Sequence, residues 1–263
     1  MNRAPQLGRL AAAIVAALLC FAPARSQNAP SLKVMISPGL TAAYEQLVPE
    51  FERKTGHTIV TAYGASMGNA TTAIPNRLQN GESADVIILA GSALEELMKK
   101  NRVIPGTRVD LARASIAMAV RAGAQKPDIS TLDALRRTLL AAKSIAYSDS
   151  VSGVYVSTVL FQRLGIADTI RSKCVKVDGM VGSAVARGDA EIGFQQMSEL
   201  LAVAGIDIVG PLPPEAQKIT VFSGGVAANS EQPELAKQFL RFLASPEAAA
   251  TIKKSGMEPV PSL

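Results

Sequence analysis

The stretch YSDSVSGVY, Tyr147 to Tyr155, decides how the rest of this chain is read. It follows an apolar run, Ser144 to Tyr147, patterned like a buried strand, and leads into VYVSTVLFQRLG, Val154 to Gly165, patterned like a helix. Its serines and Gly153 therefore fall on a strand-to-helix turn. A helix that begins there leaves its first N–H groups without intrahelical partners. Those donors, the positive end of the helix dipole and the adjacent hydroxyls can hold a small anion without a formal positive charge. Two other stretches have the same form: SPGLTAAYEQL, Ser37 to Leu47, and YGASMGNATTAIPNRL, Tyr63 to Leu78. Each taken alone reads as an ordinary serine-capped helix start. Three in one chain point to a ligand held between them.

Outward from these turns, strands and helices alternate. LKVMIS, from Leu32, is a short apolar strand, after which Leu40, Tyr44, Leu47 and Phe51 share one face of a helix that ends at Gly56 and is interrupted by Pro49. HTIVTAY, from His57, is a second strand and ADVIILAG, from Ala84, a buried third. SALEELMKKN is a helix with Ser92 as N-cap and Glu95 completing a capping box. ASIAMAVRAG, from Ala114, reads as a strand that leaves a first lobe, and four more strands (SIAY, CVKV, AEIGFQ and IDIVG) build a second. After the proline-rich PLPPE, the run KITVFSGGVAAN returns to the first lobe, and a closing helix pair has Ser245 as N-cap with Pro246 at its first position. This rhythm predicts an α/β protein of two lobes, with mixed, mostly parallel sheets, helices on both faces and a ligand cleft between the lobes. The expected division is a signal peptide over 1–26, a first lobe over 27–110 plus 220–263, and a second over 111–219, with hinge strands near 112–121 and 218–228.

The first residues set the expected address. Arg3 and Arg9 precede an uncharged run, Leu10 to Ala22, too short to span a bilayer, and small residues follow at Ala22 and Ala24. This is the pattern of a cleaved secretory signal, with cleavage after Ala24 or Ser26, and it predicts a periplasmic protein. The 27 Lys plus Arg and 22 Asp plus Glu give a net +5, which falls to +3 without Arg3 and Arg9 and to +2 without Arg25. That excess is too small for a nucleic-acid binder, and aromatics make up only 4% of the chain. Cleavage also removes Cys20 and leaves Cys174 alone, so no intramolecular disulfide is expected. About 237 residues remain, enough for two packed lobes. No later apolar run approaches the length of a membrane helix. With His57 and Cys174 as the only strong nitrogen or sulfur ligands, no metal site is expected; there is no Walker or Rossmann glycine loop, and no cofactor is expected.

Over essentially its whole mature length the chain resembles the periplasmic solute-binding proteins of ABC importers, and among them the molybdate-binding family. The likeness lies in GLTAAYEQLVPEFERKTG, GESADVIILAG, SDSVSGVYVSTVLFQRLGI, AVARGDAEIGF and PELAKQFLRFLASPEAAATIKKSG. The resemblance implies two lobes that close on a small anion, a monomer, and a membrane permease as possible partner. In the family pattern neutral groups hold the oxyanion. By that pattern the first serine is here Gly39, with Ser37 nearby; the second is Ser66, followed by Met67. Backbone donors fall near Ser150, Ser152, Gly153 and Val181, and the late tyrosine is replaced at Gln196. Two side chains for a tetrahedral oxyanion are thus missing. The remaining donors, among them Asn76, Arg77, Ser148, Tyr155, Gln195 and Gln196, suit a larger and flatter anion such as a polycarboxylate, which Arg77 could clamp with two bonds. Because side chains alternate along a strand, only one of Gln195 and Gln196 can face the cleft.

YGASMG, AIPNRL, YSDSVSGVY and GFQQMSELL also resemble aconitate isomerase, a cofactor-free enzyme on this scaffold that interconverts trans- and cis-aconitate. Its chemistry, an allylic proton shift on a tricarboxylate, needs donors for three carboxylates and one group that removes and returns a proton. Glu199, Tyr155, Tyr63 and Asp149 lie in the right neighbourhoods; none has a partner arrangement that marks it. As a turn residue Asp149, as solvated helix residues Glu199 and Arg77, and as a surface residue His57, all have ordinary structural readings too. A transport receptor and an isomerase both fit this sequence.

Overall fold

A computed structural model describes residues 31–260 of the chain, so the expected signal segment lies outside the described residues. The first half-sheet follows from the alternating pattern. β1 (Leu32–Ile36) leads into α1 (Pro38–Thr55), β2 (Ile59–Tyr63), α2 (Ile74–Gln79), β3 (Val86–Ala90) and α3 (Gly91–Lys99). β1 pairs in parallel with β2 and β3. All five residues of β3 are buried, as a strand covered on both faces requires.

The chain then adds β4 (Val109–Ala114) and crosses at Ser115 to β5 (Ile116–Arg121). Beyond the crossing lie α4 (Leu132–Ala141), β6 (Ile145–Ser148) and α5 (Val151–Tyr155). The last continues through a π-helical turn, Val156–Leu160, into α6 (Phe161–Arg163). α7 (Ala167–Ile170), β7 (Cys174–Val177), α8 (Val181–Arg187), β8 (Ile192–Gln196), α9 (Met197–Leu201) and β9 (Ile206–Pro211) complete the second lobe. The chain returns as β10 (Thr220–Val226), then α10 (Pro233–Leu243), α11 (Pro246–Lys254) and β11 (Glu258–Pro259). The two sheets have strand orders β11-β4-β10-β3-β1-β2 and β7-β6-β8-β5-β9. In each, the strands that lead to or from a crossing run antiparallel to a neighbour: β10 to β3 and β4, and β5 to β8 and β9.

Three local expectations give way to tertiary context. Pro49 lies inside α1 rather than interrupting it. It sits on the exposed face, where water can satisfy the carbonyl it leaves free, while Leu40, Tyr44, Leu47 and Phe51 hold the other face in the core. Ser92 does not cap α3, which starts at Gly91 directly from the end of β3; Glu95 pairs instead with Arg108. The run from Ala114 is not one exit strand, because the first sheet keeps the chain up to Ala114 and the second takes it from Ile116. Residues 111–114 accordingly belong to the first sheet.

The two crossings are bonded to each other. The Gln217 side chain accepts from Ile116 N at 2.8 Å and donates to Ile116 O at 3.0 Å and to Leu212 O at 3.3 Å. The first lobe's main core lies beneath α1, α10 and α11, where the Phe239 ring meets Phe51 edge-on at 4.9 Å and Tyr44 at 6.1 Å. Phe239 is fully buried. Replacing it with alanine should cost about 3–5 kcal/mol of stability, read as a lower midpoint in urea-induced unfolding.

Candidate functional site

Three chain turns converge where the lobes meet. At the first, Ser37, a residue 1% exposed, is the N-cap residue of α1: its N–H donates to Ile88 O at 2.9 Å, and its buried hydroxyl has no hydrogen-bond partner. Pro38 contributes no N–H, so the first-turn donors of this 18-residue helix are those of Gly39 and Leu40. From the second lobe, Ser198 donates to Gly39 O at 2.7 Å.

The second turn is the loop after β2. Ser66 Oγ accepts the Ala90 N–H at 3.0 Å, which leaves the hydroxyl hydrogen free to donate. Asn76 is taken up by the loop itself, donating to Gly68 O and Ala70 O, and Met67 is exposed. Arg77 does not project as a clamp. Its guanidinium grips the Glu82 carboxylate with two N–H groups and donates to Tyr63 O at 2.8 Å, and Glu82 raises its pKa. Five residues apart in sequence, the two charges meet because the chain turns back after α2.

The third turn, between β6 and α5, carries a chain of hydroxyls. Ser148 donates to Ser150 Oγ at 3.0 Å, and Ser150 Oγ also accepts the Gly153 N–H at 3.3 Å. With both lone pairs engaged, Ser150 directs its own hydrogen to Ser152 Oγ, 3.0 Å away. Ser152, 1% exposed, therefore ends the chain with its hydrogen free. Only glycine allows this geometry at position 153: a Cβ there would stand 1.9 Å from Ser148 O. The second and third turns approach each other, since a Cβ on Gly68 would lie 3.9 Å from Asp149. Asp149 itself is an exposed turn residue paired with Lys176 at 2.6 Å.

Both glutamines at the end of β8 are buried, facing opposite ways as alternation requires. Gln195 Oε1 accepts Gly182 N at the start of α8, one residue after Val181, and its amide nitrogen contacts Met180 Sδ. Gln196 donates to Thr220 Oγ1 at 2.9 Å, across to β10. Tyr155 is directed away from the serines: its hydroxyl donates to Ala216 O at 3.0 Å, on the segment that returns to the first lobe. Tyr63 is half-exposed on edge strand β2 and donates to Glu45. His57 follows the far end of α1, about 27 Å along the helix from Ser37.

Glu199 departs most from its sequence reading. Instead of a solvated helix residue it is 7% exposed, because α9 is wedged against the first lobe; a Cβ on Gly256 would lie 2.3 Å from Leu201. Its Oε2 accepts the Gln196 N–H at 3.3 Å within a capping box. Burial pushes its pKa up to about 7, while hydrogen bonds from Gln196 N–H and the Gln195 side chain pull the other way. None of the ion pairs among the described residues includes it. Among the described residues, no group of three His, Cys, Asp or Glu is placed to hold a metal, and no helix is long and apolar enough to cross a membrane.

A family model for bacterial extracellular solute-binding proteins matches residues 32–258. An aconitate isomerase from a Pseudomonas species is 46% identical over 260 residues, 98% of each chain. A molybdate-binding protein of Azotobacter vinelandii is 25% identical over 95% of this chain and 97% of that one. The solved periplasmic molybdate-binding protein of A. vinelandii superposes with a TM-score of 0.69 at 23% identity, covering 88% of this chain and 100% of the other.

Because the folded state raises the Glu199 pKa, the carboxyl is tolerated neutral and penalised when charged. Its environment is harmless below the ordinary value of 4.5 and destabilising as pH rises through about 7. Urea unfolding at pH 5 and pH 8.5 should show a loss of roughly 3 kcal/mol in the wild type from this group, and a much flatter profile in Glu199→Gln.

Proposed function

This chain belongs to the family of bacterial extracellular solute-binding proteins, and from that premise we propose that it is an exported, periplasmic aconitate isomerase. The observation that carries the reading is the combination, at the junction of the lobes, of buried serine hydroxyls with free hydrogens and a carboxyl titrating near neutrality. The relative that shares 46% of its residues over 98% of both chains bears that activity in its name, which supports the same assignment.

In this reading the hydroxyls of Ser37, Ser66 and Ser152 and the helix-start N–H groups receive the carboxylates of the tricarboxylate. Neutral, preoriented donors suit this task because they need not reorganise when the negative charge shifts along the substrate. Glu199 carries the proton. As carboxylate it takes a hydrogen from the methylene carbon, and the electron pair left behind delocalises over the allylic carbons and their carboxylates. As carboxylic acid it returns the hydrogen to the formerly vinylic carbon, so the double bond moves and Glu199 is regenerated. A pKa of about 7 makes both directions accessible at neutral pH. The likeness to molybdate-binding proteins supports a second reading, a receptor that closes on an anion and delivers it to an ABC permease without chemistry.

Proton NMR of the mature protein with trans-aconitate in deuterated buffer separates the two. The isomerase reading expects cis-aconitate to appear, carrying solvent deuterium only in the fraction of turnovers in which the Glu199 carboxyl exchanges before it returns the hydrogen, and a loss of roughly 100-fold or more in kcat for Glu199→Gln with the dissociation constant little changed. Saturable binding of trans-aconitate with no turnover would leave the receptor.

A further inference from the structure

We propose that Phe222, lodged on Gly39, is a specificity-determining residue: an apolar wedge at the head of α1 that turns away compact tetrahedral oxyanions and admits a flat, unsaturated polycarboxylate. The identity of the substrate rests on the function proposed above; the selectivity rests on the geometry of this corner.

A Cβ on Gly39 would stand 2.0 Å from Phe222 Cζ and 2.6 Å from each Cε. The ring therefore approaches tip first and fills the space of any side chain at position 39. It has little freedom to retreat. Phe222 is 4% exposed, on a strand held from both sides, opposite Ala90 of β3 and Ala112 of β4. Two residues earlier, and on the same face of β10, Thr220 receives the Gln196 amide from the second lobe. On the other side of Gly39, Ser198 holds its carbonyl. The wedge is thus braced where the two lobes touch.

The consequence is chemical. A tetrahedral oxyanion presents oxygen in every direction and needs donors all round, yet here the side-chain space at position 39 is taken by a ring with no hydrogen-bonding group. The donors left at this corner are the unpartnered Ser37 hydroxyl and the Gly39 and Leu40 N–H groups. A planar polycarboxylate separates its charged oxygens with carbon. It can place one carboxylate on that hydroxyl and set its C–H edge against the ring.

The test is isothermal titration calorimetry with sodium molybdate and with trans-aconitate, on the wild type, the double variant Phe222→Ala with Gly39→Ser, and Phe222→Leu, each checked for folding by circular dichroism. The proposal expects the double variant to bind molybdate at least tenfold more tightly than the wild type and trans-aconitate at least tenfold more weakly. Phe222→Leu should shift the ratio of the two affinities the same way, by threefold or more, and decides the matter if the double variant does not fold. A ratio unchanged in a folded variant, or a wild type that prefers molybdate, overturns the wedge. A wild type that does not bind trans-aconitate contradicts the polycarboxylate reading instead. The wedge is then judged by molybdate alone: gain in the variants upholds it and no gain overturns it.

Discussion

A buried hydroxyl whose hydrogen meets no acceptor is costly, and this fold holds such hydroxyls from both lobes at one junction. Ser37 has no partner, Ser66 accepts without donating to any protein group, and the Ser148–Ser150–Ser152 chain delivers its last free hydrogen at Ser152. Two cations on or beside these turns are held by carboxylates, Arg77 by Glu82 and Lys176 by Asp149. In the proposed site an anion would therefore meet oriented dipoles. These bind through direction and number, so they discriminate shape more sharply than a lysine would.

The rest of the architecture keeps those dipoles in register. Ser37 and the serines of the third turn stand where a strand gives way to a helix, and Ser66, in the loop after β2, is tied to the end of β3 through Ala90 N–H, so a sheet lies behind each. Gly153 lets α5 start in contact with Ser148, and the same helix, through Tyr155, is bonded to the segment that leads back into the first sheet. Gln217 ties that segment to the outgoing crossing at Ile116. The bonds Ser198 to Gly39 and Gln196 to Thr220 then join the lobes beside the site.

Much of this was legible in the sequence, for a physical reason. Apolar periodicity reports burial on one face, and it located strands such as β3 closely, while the Ser245 cap and Pro246 located the start of α11. That a serine of the third turn caps α5 was legible because the turn and its cap lie within a few residues; the structure makes it Ser150. What escaped depends on distant chain. Pro49 stays helical because the core holds the opposite face of α1. Arg77 meets Glu82 only once the chain has turned after α2. Glu199 looks like a solvated first-turn acid until the first lobe covers α9. Gly39 showed as a missing side chain, but Phe222, which fills its place, lies on a strand from the far end of the sequence. Local signals thus found the turns, and packing decided which polar groups remain available at them.

The most direct measurement is a crystal structure of the mature chain with trans-aconitate. The account expects the tricarboxylate between the lobes, with carboxylate oxygens within hydrogen-bond distance of the Ser37, Ser66 and Ser152 hydroxyls and its carbon skeleton beside Glu199. A tricarboxylate bound elsewhere, or one that leaves those three hydroxyls without an acceptor, would contradict it.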